Sequence, residues 1–96
     1  MSVVVTLPGF ISDLVKTENA ERRGRLTVDA ASMGELHRYF VTNHAPAAER
    51  LWDDQGRLRK NVILVHNDEP VYREDYDRLA FGNGDELCLL MQFAGG

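Results

Sequence analysis

The side chains able to do chemistry near neutral pH are few and scattered. His37, His44 and His66 are widely spaced and lack Cys or carboxylate neighbours at the intervals at which zinc ligands recur, so solvated or helix-end histidines are expected. Cys88 sits inside the apolar run CLLM, where nothing lowers a thiol pKa; a small buried or half-buried thiol is expected, not a nucleophile. The stretch GNGDEL has the glycines of a phosphate loop, but it has no Lys and opens a strand, so the helix N-terminus that holds phosphate is missing and it reads as a turn. The acidic stretch NDEPVYREDYD has the charge for a cation, yet hairpin tips are ordinarily polar, and Arg73 and Arg78 are placed to balance it. The basic clusters ERRGR and GRLRK read as solvated loops. Nothing assembles a nucleophile, a base and an oxyanion donor, so neither a free-standing enzyme nor a metal site is expected.

One feature is left, the terminal run AGG that follows DELCLLMQF. Folding gives no reason for two final glycines, because Gly loses the most conformational freedom on ordering and adds nothing to a core. Two terminal glycines arise by chance in only about 0.5% of chains at average Gly usage. A tail that enters another protein's active site does explain them. Without a Cβ it passes a narrow channel, and four extended residues reach about 13 Å. A carboxylate is a poor electrophile, so chemistry at that terminus requires activation by another enzyme, for example as an acyl-adenylate made with ATP. The chain then divides into a domain over 1–92 and a flexible tail over 93–96.

The elements that must hold such a tail can be read along the chain. VVVTL is β-branched and closes at Pro8-Gly9, as a first strand does. The segment from Phe10 to Arg25 reads as a loop leading into a second strand, RLTVDA. In SMGELHRYF, Ser32 with Glu35 forms a capping box, and Met33, Leu36, Tyr39 and Phe40 have the spacing of a buried helical face. That helix should end near Asn43-His44, AAERLW adds a short helical turn with Pro46 at its start, and Leu51 or Trp52 closes the core. NVILV is a third strand, NDEP a hairpin signal, and a short fourth strand is expected around VYR. An irregular connection then leads to the last strand, ELCLLMQF. The order predicts an α+β domain with a mixed sheet of four to five strands and one main helix packed on one face.

In the last strand Leu87, Leu89 and Met91 alternate with Cys88, Leu90 and Gln92. The first set should be core. One helix covers one face of a sheet, which leaves Leu90 exposed on the other beside Ile63 and Val65. An apolar patch there, next to the tail, is the expected docking surface for a partner enzyme.

Size and charge agree with this picture. A chain of 96 residues with 44% hydrophobic content forms one small domain that buries roughly 60 to 68% of its unfolded surface. A formal net charge of −4 argues against a nucleic-acid partner and for a basic protein partner. The first ten residues lack the pattern of a signal peptide, and VILV and CLLM are too short to span a membrane. With a single cysteine, Cys88, the expectation is a cytoplasmic protein in a reducing compartment.

The β-β-α-β-β order, the VHNDEPV hairpin, the GDEL turn and the terminal AGG together resemble the ubiquitin-like β-grasp sulfur carriers. This family includes the molybdopterin synthase small subunit, the thiamin sulfur carrier, and the carriers of cysteine or thioquinolobactin biosynthesis. The resemblance runs over nearly the whole chain, and ERLWDDQGRLRKNVILVHNDEPV is similar to the carriers of amino-acid or natural-product sulfur. It implies a β-grasp fold, no bound cofactor, and an E1-like enzyme that uses ATP to adenylate Gly96. Sulfur transfer then makes a thiocarboxylate on Gly96, with Gly95 as the second tail glycine and Phe93 and Ala94 meeting the partner. A sulfur-accepting biosynthetic enzyme is the second partner, and in some members a metalloprotease trims residues that follow the two glycines. Where molybdopterin synthase small subunits commonly carry Pro-Pro, this chain has Met91-Gln92-Phe93, a departure from that branch. Three alternatives stay open, a molybdopterin synthase small subunit, a ubiquitin-like modifier conjugated to lysines, and a plain β-grasp binding module whose tail is idle.

Overall fold

The fold was obtained as a computed structural model in which residues 2–15 and 24–92 are described. The elements are β1 (Ser2–Thr6), α1 (Gly9–Ser12), β2 (Arg25–Asp29), α2 (Met33–Asn43), α3 (Ala45–Leu51), β3 (Val62–His66), β4 (Glu69–Pro70) and β5 (Glu86–Met91), with a 3₁₀ helix over Arg73–Arg78. The strands form one sheet in the order β2-β1-β5-β3-β4. β1 and β5 run parallel, and the other three pairings are antiparallel. This is the expected mixed sheet, with the last strand of the sequence in its centre.

Alternation decides the two faces. Val3, Val5, Leu26, Val28, Val62, Leu64, Leu87 and Leu89 point inward and are almost fully buried. Over them lie Met33, Leu36 and Phe40 of α2, Ala47, Ala48 and Leu51 of α3, and Ile11, Trp52, Leu58 and Phe81. Phe40 and Trp52 meet with ring centroids 5.5 Å apart, and of Leu51 and Trp52, either of which was expected to close the core at the end of α3, both are buried in it. Met91, placed with that inward set, is only half-buried against its edge.

The helical layer begins where the sequence indicates. Ser32 Oγ accepts the Glu35 backbone N–H at 3.3 Å, while Glu35 Oε1 accepts the N–H of Ala31, one residue earlier than in the usual capping box. α2 ends at Asn43, and Pro46 lies in the first turn of α3.

Three expectations are corrected. The segment after Pro8 is not all loop: the Pro8 carbonyl accepts the N–H groups of Ile11 and Ser12, which starts the four-residue α1 and buries Ile11 completely. So short a helix carries no period to read, and the rest of that expected loop, 16–23, lies outside the described residues. The fourth strand is Glu69–Pro70, not VYR, because Asn67 and Asp68 both take positive φ (49° and 69°) and make a two-residue turn, so pairing resumes at Glu69. The connection to β5 is partly ordered, as the 3₁₀ helix.

Leu89, at 0% exposure, and Leu90, at 46%, are adjacent residues on opposite faces. Leu89→Ala should therefore cost about 2–5 kcal/mol of stability by opening a core cavity. Leu90→Ala should stay within about 0.5 kcal/mol. Urea unfolding of the two variants measures the difference, and equal losses would contradict the assignment of faces.

Candidate functional site at the open sheet face

The expected site residues divide into two groups. Phe93, Ala94, Gly95 and Gly96 lie outside the described residues. Leu90, Ile63 and Val65 are described, and the sheet brings them together: Ile63 is the cross-strand partner of Leu90, and Val65 that of Cys88. All four side chains are on the face away from the helices, because Leu87, Leu89, Val62 and Leu64 take the other. Ile63, Val65 and Cys88 are half-buried and Leu90 is exposed, so this face presents a partly exposed apolar surface.

β5 reaches this position through bonds along both edges. Val4 to Thr6 of β1 pair with Glu86 to Cys88, and β3 pairs with Leu87 to Met91. The last described backbone bond runs from the Gln92 N–H to the Asn61 carbonyl at 2.7 Å. The start of the strand is held more tightly. The Asn67 N–H donates to the Glu86 carbonyl, and the Glu86 N–H donates to Asn67 Oδ1, both at 2.8 Å, so one hairpin residue meets Glu86 as a strand residue would. The Asp85 carboxylate accepts the Gly82 N–H at 2.7 Å and lies 2.7 Å from His66 Nε2. A carboxylate only accepts, so Nε2 carries the donated proton. The Gly82 hydrogen bond first, and His66 next, hold the Asp85 pKa down to about 2. The stretch GNGD is thus a turn, as expected, and its Asp sets where β5 begins.

The histidines depart from expectation. His66 is not solvated: it is bonded to Asp85, with its ring 6.0 Å from that of Phe81. His37 packs against Trp52 at 5.0 Å between ring centroids. The turn at Gly56 closes over it, where φ is 78° and a Cβ would come within 3.3 Å of His37 Cε1. His44 does stand at a helix end, but only 8% of it is exposed, it packs against Tyr39 and Phe40, and its Nε2 has no hydrogen-bond partner. Burial lowers its pKa. The partners of His66 and His37 come from other elements, so no local pattern marks them, whereas the rings beside His44 lie four and five residues before it. Arg73 is also corrected: its guanidinium donates to the Leu58 and Arg59 carbonyls at 2.7 and 2.9 Å and pairs with none of the nearby carboxylates, whereas Arg78 does pair with Asp75.

Burial raises the pKa of Cys88, which keeps it protonated and inert near neutral pH. Among the described residues no group of three or more His, Cys, Asp or Glu is arranged to hold a metal ion, and no helix is long and apolar enough to cross a membrane. Two grooves on the helical side flank Trp52 and His37, both lined by mixed charges. Neither contains Leu90, Ile63 or Val65.

A mixed sheet with its last strand central, one face under helices and the other open, is the ubiquitin-like β-grasp architecture. SAMP1 from Haloferax volcanii superposes with a TM-score of 0.71 at 25% identity, over 100% of both chains. CysO from Mycobacterium tuberculosis gives 0.75 at 22% identity, over 95% of this chain and 99% of that one. A chain of the Amycolatopsis orientalis BexX/CysO complex gives 0.77 at 23% identity, over 98% and 99%. No protein-family model and no curated protein matches the sequence. The present chain is thus a ubiquitin-like β-grasp protein, and these likenesses agree with the resemblance drawn from the sequence.

Two acid-side effects follow. His44 has its folded pKa below the ordinary 6.5, so its contribution to stability is complete above about pH 6.5 and is lost as pH falls below it. His44→Leu should flatten the decline of Tm between pH 7 and 5, read by thermal unfolding. Asp85 acts lower: its contribution is present above 3.8 and disappears as pH falls toward 2, so Asp85→Asn should lose stability at neutral pH and little at pH 2.

Proposed function

We propose that this chain is a sulfur-carrier protein, activated and used by partner enzymes and not itself an enzyme. The Gly96 carboxylate attacks the α-phosphorus of ATP on an E1-like enzyme, releasing pyrophosphate and leaving an acyl-adenylate. Hydrosulfide, as a sulfide-level donor, then attacks the acyl carbon and AMP departs, so that Gly96 bears a thiocarboxylate. A biosynthetic enzyme takes the sulfur from it for cysteine, another amino acid or a siderophore-type product. The observation that carries this reading is the place of β5. It is paired with β1 as far as Cys88 and on the β3 side as far as Gln92, which supports a Gly-Gly run offered from a fixed point beside the open apolar face.

On this reading the face around Leu90, Ile63 and Val65 docks the activating enzyme while the tail is threaded into its site. The likeness to the BexX/CysO complex favours a second, biosynthetic partner. The proposed setting is cytoplasmic, and where residues follow the two glycines a metalloprotease removes them.

The likeness to SAMP1, which the second Haloferax structure identifies as a small archaeal modifier protein, favours one other reading. There the same adenylate is captured by a lysine amine as an isopeptide. Ladders on denaturing gels would support it.

With the activating enzyme, ATP and a sulfur donor, the intact mass should rise by the difference between one sulfur and one oxygen, localised to Gly96. Deleting Gly96 or extending the chain beyond it should abolish the change. A Gly96-deleted chain that is still thiocarboxylated would falsify the assignment. Leu90→Arg should weaken binding to the activating enzyme about tenfold or more with little change in Tm, as loss of a central apolar contact does.

A further inference from the structure

The inward set of β5 does not end at Met91. Leu87 and Leu89 are at 1% and 0% exposure, and Met91 is half-buried at the edge of the core. The next position of that parity is a phenylalanine, Phe93. One residue before it the backbone is still in the ladder, since the Gln92 N–H donates to the Asn61 carbonyl at 2.7 Å. A strand carried on by one residue aims position 93 at the helical side, where Met91 is aimed. Of residues 93–96 only Phe93 has a side chain larger than a methyl.

A groove lies on that side, at that end of the strand. Met91 of β5, Val41 of α2, Phe10 of α1 and Trp52 line it. Its volume of about 880 Å³ falls among pockets of roughly 300–1,000 Å³ that bury small ligands, so a phenyl ring fits. Val41 is 50% exposed there, whereas Leu36 and Phe40 of the same helix are at 0%. One exposed valine is ordinary on a protein surface. Here the groove it walls begins at Met91, two residues before Phe93. The charges in the groove select no ionic occupant. The Asp53 carboxylate accepts the Gln55 and Arg57 N–H groups at 2.9 and 3.0 Å, and Arg59 Nε donates to the Glu49 carbonyl at 2.9 Å. The others, Glu49, Arg50 and Asp54, are of both signs.

A segment tethered at the groove has an advantage over any separate molecule. It meets the surface at an effective concentration on the order of millimolar, and it avoids the loss of rigid-body freedom that a partner or a second copy undergoes. We propose that Phe93 closes β5 by seating its ring in this groove, against Val41 and Met91. The free tail is then Ala94-Gly95-Gly96, whose extended reach is roughly 10 Å instead of about 13 Å. Phe93 in this arrangement serves the domain and not a partner enzyme. The seating stands on its own geometry; only its consequence, that the anchored ring sets how far Gly96 enters an activating enzyme, rests on the sulfur-carrier reading.

Nuclear magnetic resonance of the full chain, labelled with ¹³C and ¹⁵N, tests the seating. Nuclear Overhauser contacts should join the Phe93 ring protons to the methyl groups of Val41 and Met91. The backbone order parameter should be about 0.85 at Phe93 and fall below about 0.6 at Gly95 and Gly96. Phe93→Ser should remove the contacts, shift the Val41 methyl resonances and bring position 93 below about 0.6, while Phe93→Leu should keep it ordered. Three results would each overturn the inference: an order parameter below about 0.6 at Phe93 in the wild type, ring contacts to Ile63 or Leu90 on the opposite face, or contacts seen only between a labelled and an unlabelled copy. The last would make a second copy the occupant. A parallel arm treats the same protein with the activating enzyme, ATP and a sulfur donor. If the contacts form and no thiocarboxylate does, the seating stands and the sulfur reading falls. If a thiocarboxylate forms on a chain whose Phe93 ring does not touch Val41, the seating falls and the sulfur reading stands.

Discussion

The pairing of β5 between β1 and β3 is the constraint on which the rest depends. Its parallel contact with β1 joins the first and last strands, so the chain between them has to cross over one face of the sheet. That covering is the helical layer, whose contact with Val3, Val5, Leu87 and Leu89 excludes water from the centre of the sheet. The same pairing holds the backbone as far as Gln92, the last residue described.

A strand so placed needs a defined register, because a shift of one residue would put Leu90 in the core and Leu89 in solvent. Apolar packing supplies part of that definition. The remainder is polar and lies at the start of the strand, where Asn67 meets Glu86 with two hydrogen bonds and Asp85 ties Gly82 to His66. The hairpin turn that positions Asn67 requires positive φ at two residues, and Asn and Asp adopt it at less cost than most side chains. The hairpin and the GNGD turn therefore act as one clamp on β5, although fourteen residues, 68–81, lie between Asn67 and Gly82 in the sequence.

The two faces of the sheet have different tasks. The inner face is closed by residues from α1, α2 and α3, and a cavity there weakens the whole domain. The outer face gives up that burial: Leu90 remains accessible at 46%. A small domain stays folded with such a surface because its other face is nearly complete, and the open one is free to meet another protein.

Much of this was legible in the sequence. VVVTL and RLTVDA were marked as strands, alternation in ELCLLMQF assigned Leu87 and Leu89 to the core, Ser32 and Glu35 marked the start of α2, and NDEP marked the hairpin. These signals are local, since a strand's period and a helix cap depend on residues only a few positions apart. Alternation also exposed Leu90, and pairing then set Ile63 against it. Tertiary structure decided what depends on contacts remote in sequence. The partners of His66 and His37, the commitment of Arg73 to the 58–59 carbonyls and the short helix after Pro8 have no local pattern. The groove that Val41 shares with Met91 belongs to the same class. It exists only once α2 has been laid over the sheet and β5 paired at its centre, because the packing of elements, not spacing along the chain, brings those two residues to one surface.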